Sequence, residues 1–426
     1  MTHIQKIAVP VLVLAALIGV ASSSGEPADA SDSQDAQKGG RPPIAPDNPG
    51  ELALYREQQR QLQVALNAYF DKALASGDIV GAGVSIVKGD SILLSEGYGK
   101  RKSGEHGDVD GRTLFRLGSL SKGFAGILAA DLVSEGALSW EDGVSEYVPE
   151  FRFGDPKHTR QIKLSHLLSH TAGAPYHSYT NLVEAGLSLR DIAGRFGEVS
   201  PISAPGEVYS YQNALFALSG EMMFSATGKG IDELLAERFF KPLGMCATSM
   251  DHESVQRAVN VAYPHYKRRN GWRPGKLSDK YYNAIAAGGI NASALDMASW
   301  MRMVLGHRPE VMDQAAIRQV FEPVVEIPGR SKYYQRWPGH IASHYGFGWR
   351  IHTFKATDTD REQKIWHHGG SVNSYRNEIA LFPDADIGIC VLLNNNSRLS
   401  RTVIPDLYEI VQAVLRKTET NLALNY

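Results

Sequence analysis

Ser119-Leu120-Ser121-Lys122 places a hydroxyl and an amine three residues apart. Tyr211-Gln212-Asn213 follows 92 residues after the serine, and His368-Gly369-Gly370 lies toward the C-terminal end. A free serine is a poor nucleophile at neutral pH and needs a base beside it. Here the candidates are a desolvated Lys122 amine and an ionised Tyr211 phenol, and the sequence leaves the choice open. Together with two glycines that let a substrate backbone approach a strand edge, these residues equip the chain for acyl transfer through a covalent serine ester.

The spacing has a physical basis. In a helix that begins near Gly118, residues i and i+3 share a face, so Lys122 reaches the Ser119 hydroxyl. Phe124, Ile127, Leu128 and Leu132 then recur at helical intervals, which predicts a buried helix behind the serine. Its N-terminus adds a partial positive charge near Ser119. A lone S-x-x-K arises by chance about once or twice in a chain of this composition. Three elements in this order, each within distinctive flanking text, outweigh the chance reading.

Other chemistries lack their signatures. There is no H-E-x-x-H run, and His367 and His368, adjacent on a strand, point to opposite faces and do not chelate one ion. No metal site and no cofactor are expected. No G-x-S-x-G nucleophile elbow occurs. His166 and His170, near a helix-to-loop junction, read as structural.

The chain resembles the penicillin-recognising serine hydrolases: class C β-lactamases, D-Ala-D-Ala carboxypeptidases and their esterase and aminopeptidase relatives. Beyond the three motifs, the likeness is carried by Leu164-Ser-His-Leu-Leu-Ser-His-Thr-Ala-Gly173, Pro205-Gly-Glu-Val-Tyr-Ser-Tyr-Gln-Asn213 and Pro242-Leu-Gly-Met245. Ala286-Ala-Gly-Gly289 and Tyr345-Gly-Phe-Gly-Trp349 complete it, from about residue 60 to about residue 415. The resemblance implies Ser119 as nucleophile, Lys122 as its proton relay and Tyr211 as proton-transfer phenol. A phenol titrates near ~10, so the Lys122 ammonium is expected to pull Tyr211 down. Asn213 would orient Lys122 and a substrate amide. His368, Gly369, Gly370 and Ser371 would bind substrate, with the Ser371 and Ser119 N–H groups forming an oxyanion hole. His368 stands where class C β-lactamases carry the lysine of Lys-Thr-Gly, which weakens the expectation of efficient penicillin turnover. As an imidazolium it would meet a substrate carboxylate.

Composition fits that reading. With 43% apolar and 21% charged residues, and a formal net charge of −2, the chain reads as globular, with no nucleic acid as partner. Its partner is a small molecule: a β-lactam, a D-amino-acid peptide or an ester. The sequence ranks the first two above the ester and leaves oligomeric state open. A slowly deacylating penicillin sensor is the non-enzymatic alternative.

Lys6 followed by the apolar run Ile7–Ile18 and small residues to Ser23 predicts a cleaved signal peptide over 1–23 and a periplasmic or secreted protein, with no stable membrane span. Residues 24–50 read as a disordered linker. The expected fold is α/β (α+β), β-lactamase/transpeptidase-like, over 51–420. An antiparallel sheet built from both chain ends (about 51–115 and 336–420) is flanked by helices and receives a mostly helical insertion (about 116–335). Expected elements are a helix over Leu52–Ala75 and a hairpin over Gly83–Lys88 and Ser91–Gly97. Late strands follow at Phe347–His352, Tyr375–Phe382 and Asp386–Asn394, then a helix over Ser400–Leu415. Cys390 lies in an apolar run and reads as a core residue; whether it pairs with Cys246 is left open.

Overall fold

A computed structural model of the chain describes residues 48–355 and 361–423; the expected signal peptide and nearly all of the expected linker lie outside them. The first helix, α1 (Pro49–Ala75), begins inside the stretch expected to be linker. Asn48 caps it, its side chain accepting the Gly50 N–H, and Pro49 has no N–H to leave unsatisfied. Leu62, Leu66 and Phe70 form its buried stripe.

One eight-stranded sheet organises the molecule. Its strands are β1 (Gly81–Lys88), β2 (Ser91–Gly99), β3 (Val325–Glu326), β4 (His340–Tyr345), β5 (Arg350–Lys355), β6 (Glu362–Val372), β7 (Tyr375–Phe382) and β8 (Ile387–Leu393). Their order is β2-β1-β8-β7-β6-β5-β4-β3, and every neighbouring pair is antiparallel. β1 thus joins the C-terminal β8, closing the sheet with both chain ends as the sequence predicts. β4 and β3 have no counterpart among the expected strands, and β5 begins three residues later than expected.

The sheet is covered on both faces at β8, which explains why that strand is continuously apolar. On β8, Ile387, Ile389, Val391 and Leu393 face the terminal helices, whereas Cys390 and Leu392 face the helical lobe. The terminal layer is α1 together with the last helix, Val403–Ala423, which runs past the expected end at 415. The opposite layer includes α2 (Ser121–Ser134), α3 (Asn213–Thr227) and α4 (Ala294–Val304). Phe124 of α2 stacks on Trp300 of α4 with ring centroids 4.0 Å apart. Cys390 is buried and Cys246 exposed, and both are free thiols. Among the described residues no helix is long and apolar enough to cross a membrane.

Candidate active site

The serine turn is made by glycine. Gly118 has φ +56°, and a Cβ there would sit 2.9 Å from the Ser371 carbonyl carbon and 3.0 Å from its nitrogen. That conformation suits glycine. Residues Gly118–Leu120 form a 3₁₀ turn before α2 begins at Ser121, so the nucleophile sits one turn ahead of the α-helix. Ser121 faces inward, its Oγ accepting the Ile290 N–H at 3.1 Å.

Lys122 is fully buried. Its Nζ donates to Asn213 Oδ1 and to the Ala287 carbonyl, both at 2.8 Å. Burial, helped by the Arg350 charge, pushes its pKa well below the ordinary lysine value. A neutral amine has two N–H donors and one lone pair; the two acceptors engage both donors and leave the lone pair to take a proton. Tyr211 lines the same pocket as Ser119, and burial pushes its phenol up to about 12, against the opposing effects of Arg350 and of the nearby Ser119 hydroxyl. The expected direction is therefore reversed: Lys122 does not create a phenolate. Burial disfavours the charged form of each, which favours the neutral amine of Lys122 and the protonated phenol of Tyr211.

Sequence reasoning missed how Tyr211 is held. His170 is buried in a left-handed conformation, φ +61°. Its carbonyl accepts the Ser210 N–H at 2.9 Å and its Nδ1 accepts the Gln212 N–H at 3.1 Å. The two bonds bracket Tyr211, whose ring lies 4.2 Å from the imidazole. No spacing pattern links positions 42 residues apart, so the sequence carried no signal for this contact.

β6 supplies the strand edge. Its pairing with β5 stops at Arg350↔His367, while pairing with β7 continues to Val372↔Tyr375. Beyond His367, then, β6 has no strand neighbour on the β5 side, and that is where the pocket opens. Gly369 and Ser371 line it; Gly370 turns the other way. A Cβ on Gly370 would come within 2.1 Å of the Leu117 carbonyl oxygen, so this glycine admits the serine turn rather than the substrate.

His368 departs from expectation. It is fully buried, bonded through Nε2 to the Tyr345 hydroxyl at 3.0 Å and through Nδ1 to the Gly369 carbonyl at 2.8 Å. Burial, with Arg350 and Lys122 nearby, holds it well below the usual histidine range. It is a neutral structural side chain, not a carboxylate clamp.

His367 points to the opposite face and joins a buried chain of hydrogen bonds. His340 Nε2 meets Ser343 Oγ at 2.7 Å, and Ser343 Oγ meets His352 Nδ1 at 2.8 Å. His352 Nε2 lies 3.1 Å from His367 Nδ1, whose Nε2 lies 2.8 Å from Glu378 Oε2. The Tyr333 hydroxyl donates to that same oxygen at 2.7 Å. Burial raises the Glu378 carboxyl to about 7 despite the nearby Arg376. Among the described residues no group of three or more His, Cys, Asp or Glu side chains is arranged to hold a metal ion.

The pocket around Ser119 measures about 360 Å³. Tyr209, Tyr333 and Tyr334 wall it, with the exposed Tyr176 also on its lining. Arg350, Arg376 and Lys332 supply positive charge; Glu184, on the same wall, is paired with Lys280 at 2.8 Å.

Comparison with known proteins adds three findings. The sequence model of the family described as Beta-lactamase matches residues 66–412. Among curated proteins, the chain is 25% identical over 333 residues to unguisins hydrolase ungD' of Aspergillus campestris, covering 76% of this chain and 59% of that protein. It is 24% identical over 363 residues to Protein flp of Staphylococcus aureus, covering 84% and 66%. The chain thus spans between 59% and 66% of the length of these relatives. Among solved structures, the octameric penicillin-binding protein homologue from Pyrococcus abyssi superposes with a TM-score of 0.69 at 22% identity, over 81% of this chain and 77% of that one, which shows a shared fold.

Proposed function

Because the chain belongs to the Beta-lactamase family, we propose that it is an exported serine hydrolase that acylates Ser119, its substrates being β-lactams or D-Ala-D-Ala-type amides. One observation carries the reading: Ser119 opens into a pocket that Tyr211 and Asn213 also line, and the buried Lys122, its charged form disfavoured, is held by two acceptors, one of them Asn213. Lys122 takes the Ser119 proton as the Oγ–carbonyl bond forms. Tyr211 gives its hydroxyl proton to the departing nitrogen and recovers one from the Lys122 ammonium. In the second half, water attacks the ester, its proton passes through the same pair to Ser119 Oγ as the acyl C–O bond breaks, and the acid is released. The Ser119 and Ser371 N–H groups, on a turn and a strand so close that a Cβ on Gly118 would meet the Ser371 backbone, are the donors for the developing oxyanion. Export rests on the Lys6–Ser23 segment and would bring the enzyme to the compartment of those substrates.

A second reading, a carboxylesterase on the same residues, is favoured by the neutral state of His368 where a lysine would otherwise stand. The test is labelling by a fluorophosphonate and a fluorescent penicillin, followed by turnover of a cephalosporin, a D-Ala-D-Ala peptide and p-nitrophenyl butyrate. Ser119→Ala should abolish both labels; label retained elsewhere sinks the assignment. Ester turnover alone selects the second reading, and a penicillin adduct that persists without turnover marks a sensor.

A further inference from the structure

Between Glu253 and Asp279 the chain carries six lysines and arginines and no acidic residue, in a protein whose formal net charge is −2. Arg257 is paired with Glu253. The other five, Lys267, Arg268, Arg269, Arg273 and Lys276, are exposed, and among the described residues none of them forms an ion pair. They lie on or beside a hairpin apart from the main sheet, in which His265–Arg268 pairs antiparallel with Gly271–Pro274. Two strands alone are marginal in water, and three contacts fix this pair to the body. The Trp272 indole N–H donates to the Gly77 carbonyl at 2.8 Å, the Ser103 N–H to His265 Nε2 at 2.9 Å and the Tyr266 hydroxyl to the Asn373 carbonyl at 3.3 Å. The backbone that carries the cations is therefore held in place, and like charges crowded on it cost stability unless anions answer them.

The ladder sorts side chains by face. Lys267 lies opposite Trp272, its ammonium 4.8 Å from the ring centroid. Tyr266 lies opposite Arg273, and alternation puts Arg268 with them on the other face. Tyr266 is 39% exposed despite its bond to Asn373, and Val259, six residues before the hairpin, is 83% exposed. Cations interleaved with exposed aromatic and aliphatic groups suit the headgroup layer of an anionic bilayer, where phosphates meet the cations and apolar groups enter the acyl boundary. A soluble polyanion would answer the charges but offer Val259 no apolar contact. We propose that the hairpin His265–Pro274 docks this protein peripherally on an anionic phospholipid surface. Asn373, which Tyr266 contacts, directly follows Val372, and Val372 lines the Ser119 pocket. Docking therefore sets the rim of the pocket beside the bilayer, whichever substrate Ser119 takes.

The test sediments the full chain with vesicles of phosphatidylcholine alone and of phosphatidylcholine mixed with phosphatidylglycerol. Binding to the neutral vesicles measures the Ile7–Ile18 run, which every variant retains, so the anionic-to-neutral ratio of partition coefficients isolates the hairpin. Each cation near an anionic surface contributes roughly fivefold, so Arg268→Gln, Arg269→Gln and Arg273→Gln together should lower the ratio about 100-fold. The matching lysine variant should keep the ratio, and added salt should lower it in the parent chain. Denaturant midpoints no lower than the parent's show that both variants fold. Hydrogen exchange reads the same contact without a substitution: amides over 266–276 should slow on anionic vesicles and not on neutral ones. No preference of the parent for anionic vesicles, an unchanged ratio in the glutamine variant, or no slowing at the hairpin overturns the proposal. Arginine-dependent binding of polyphosphate or duplex DNA without a preference for anionic vesicles also overturns it, and marks a site for a soluble polyanion instead.

Discussion

Gly370→Ala tests whether the serine turn is seated on β6 as tightly as the geometry requires. The added Cβ would lie 2.1 Å from the Leu117 carbonyl oxygen, two residues before the nucleophile. Carbon–oxygen contacts settle at about 3.3 Å or more, so strand or turn must yield by roughly 1.2 Å. The obstacle is backbone, which has no rotamer to escape into. A displacement of about 1 Å at a reacting group lowers the rate by about 10²-fold, near 2.7 kcal/mol of barrier. Overpacking adds about 1–3 kcal/mol of lost stability. Gly369→Ala is the control: its Cβ would meet the Tyr333 hydroxyl at 2.7 Å and Glu378 Oε2 at 2.9 Å, side-chain ends that can swing. Fluorophosphonate labelling rate, kcat/KM on a chromogenic acyl substrate and denaturant midpoint, measured for both variants, decide the matter. Wild-type labelling in Gly370→Ala, or greater damage in Gly369→Ala, would refute the account.

Other expectations follow from the protonation states. Activity should rise with pH through the depressed pKa of Lys122, since the base is the neutral amine, present above that pKa and lost below it; Arg350→Met should move this limb to higher pH in a kcat/KM profile. Lys122→Ala and Tyr211→Phe should each cost at least about 10²-fold in turnover, with non-additive losses in the double variant. His368→Gln should leave the shape of the pH profile unchanged, because the imidazole is neutral throughout; a lost ionisation in that profile would restore His368 as a charged ligand. Ser121→Ala should keep most activity while a melt shows lower stability, by about 1–3 kcal/mol, because the buried Ile290 N–H loses its acceptor.

The parts of the molecule legible in the sequence are those where one local pattern decides the outcome. β8 is apolar at every position because both faces are covered, and α1 announces itself by a helical stripe. The Gly89-Asp90 turn marks the β1–β2 hairpin for the same local reason. β4 is hidden in the sequence because His340, Ser343 and His344 interrupt the apolar alternation that identifies a buried strand. Their polarity is met in three dimensions, where Ser343 and His340 bond to one another and Ser343 to His352. The site divides in the same way. Ser119, Lys122, Tyr211 and Asn213 stand in short recognisable runs; the structure joins Lys122 to Asn213 and to the Tyr211 ring, and places Ser119, Tyr211 and Asn213 on one pocket. Arg350 carries no such signal, since it belongs to none of the short runs that mark the site and reaches the pocket only through the strand pairing. The roles of His368 and Tyr211 depart from expectation for one reason: charge state depends on burial, which no residue reveals about itself.

The buried chain from His340 to Glu378 has a consequence for how the strands find one another. Its links cross from β4 to β5, from β5 to β6 and from β6 to β7. Slipping any of these strands by one residue would turn its polar member to the opposite, apolar face. Each stranded group would then cost about 1–3 kcal/mol, so mispaired sheets are penalised one link at a time. Smooth apolar strands such as β8 offer little of this discrimination, since isoleucine tolerates either face. The same three pairings bring Arg350 of β5, Gly369 and Ser371 of β6 and Arg376 of β7 to one wall. Alignment of the pocket is in this sense a by-product of histidines that never touch it.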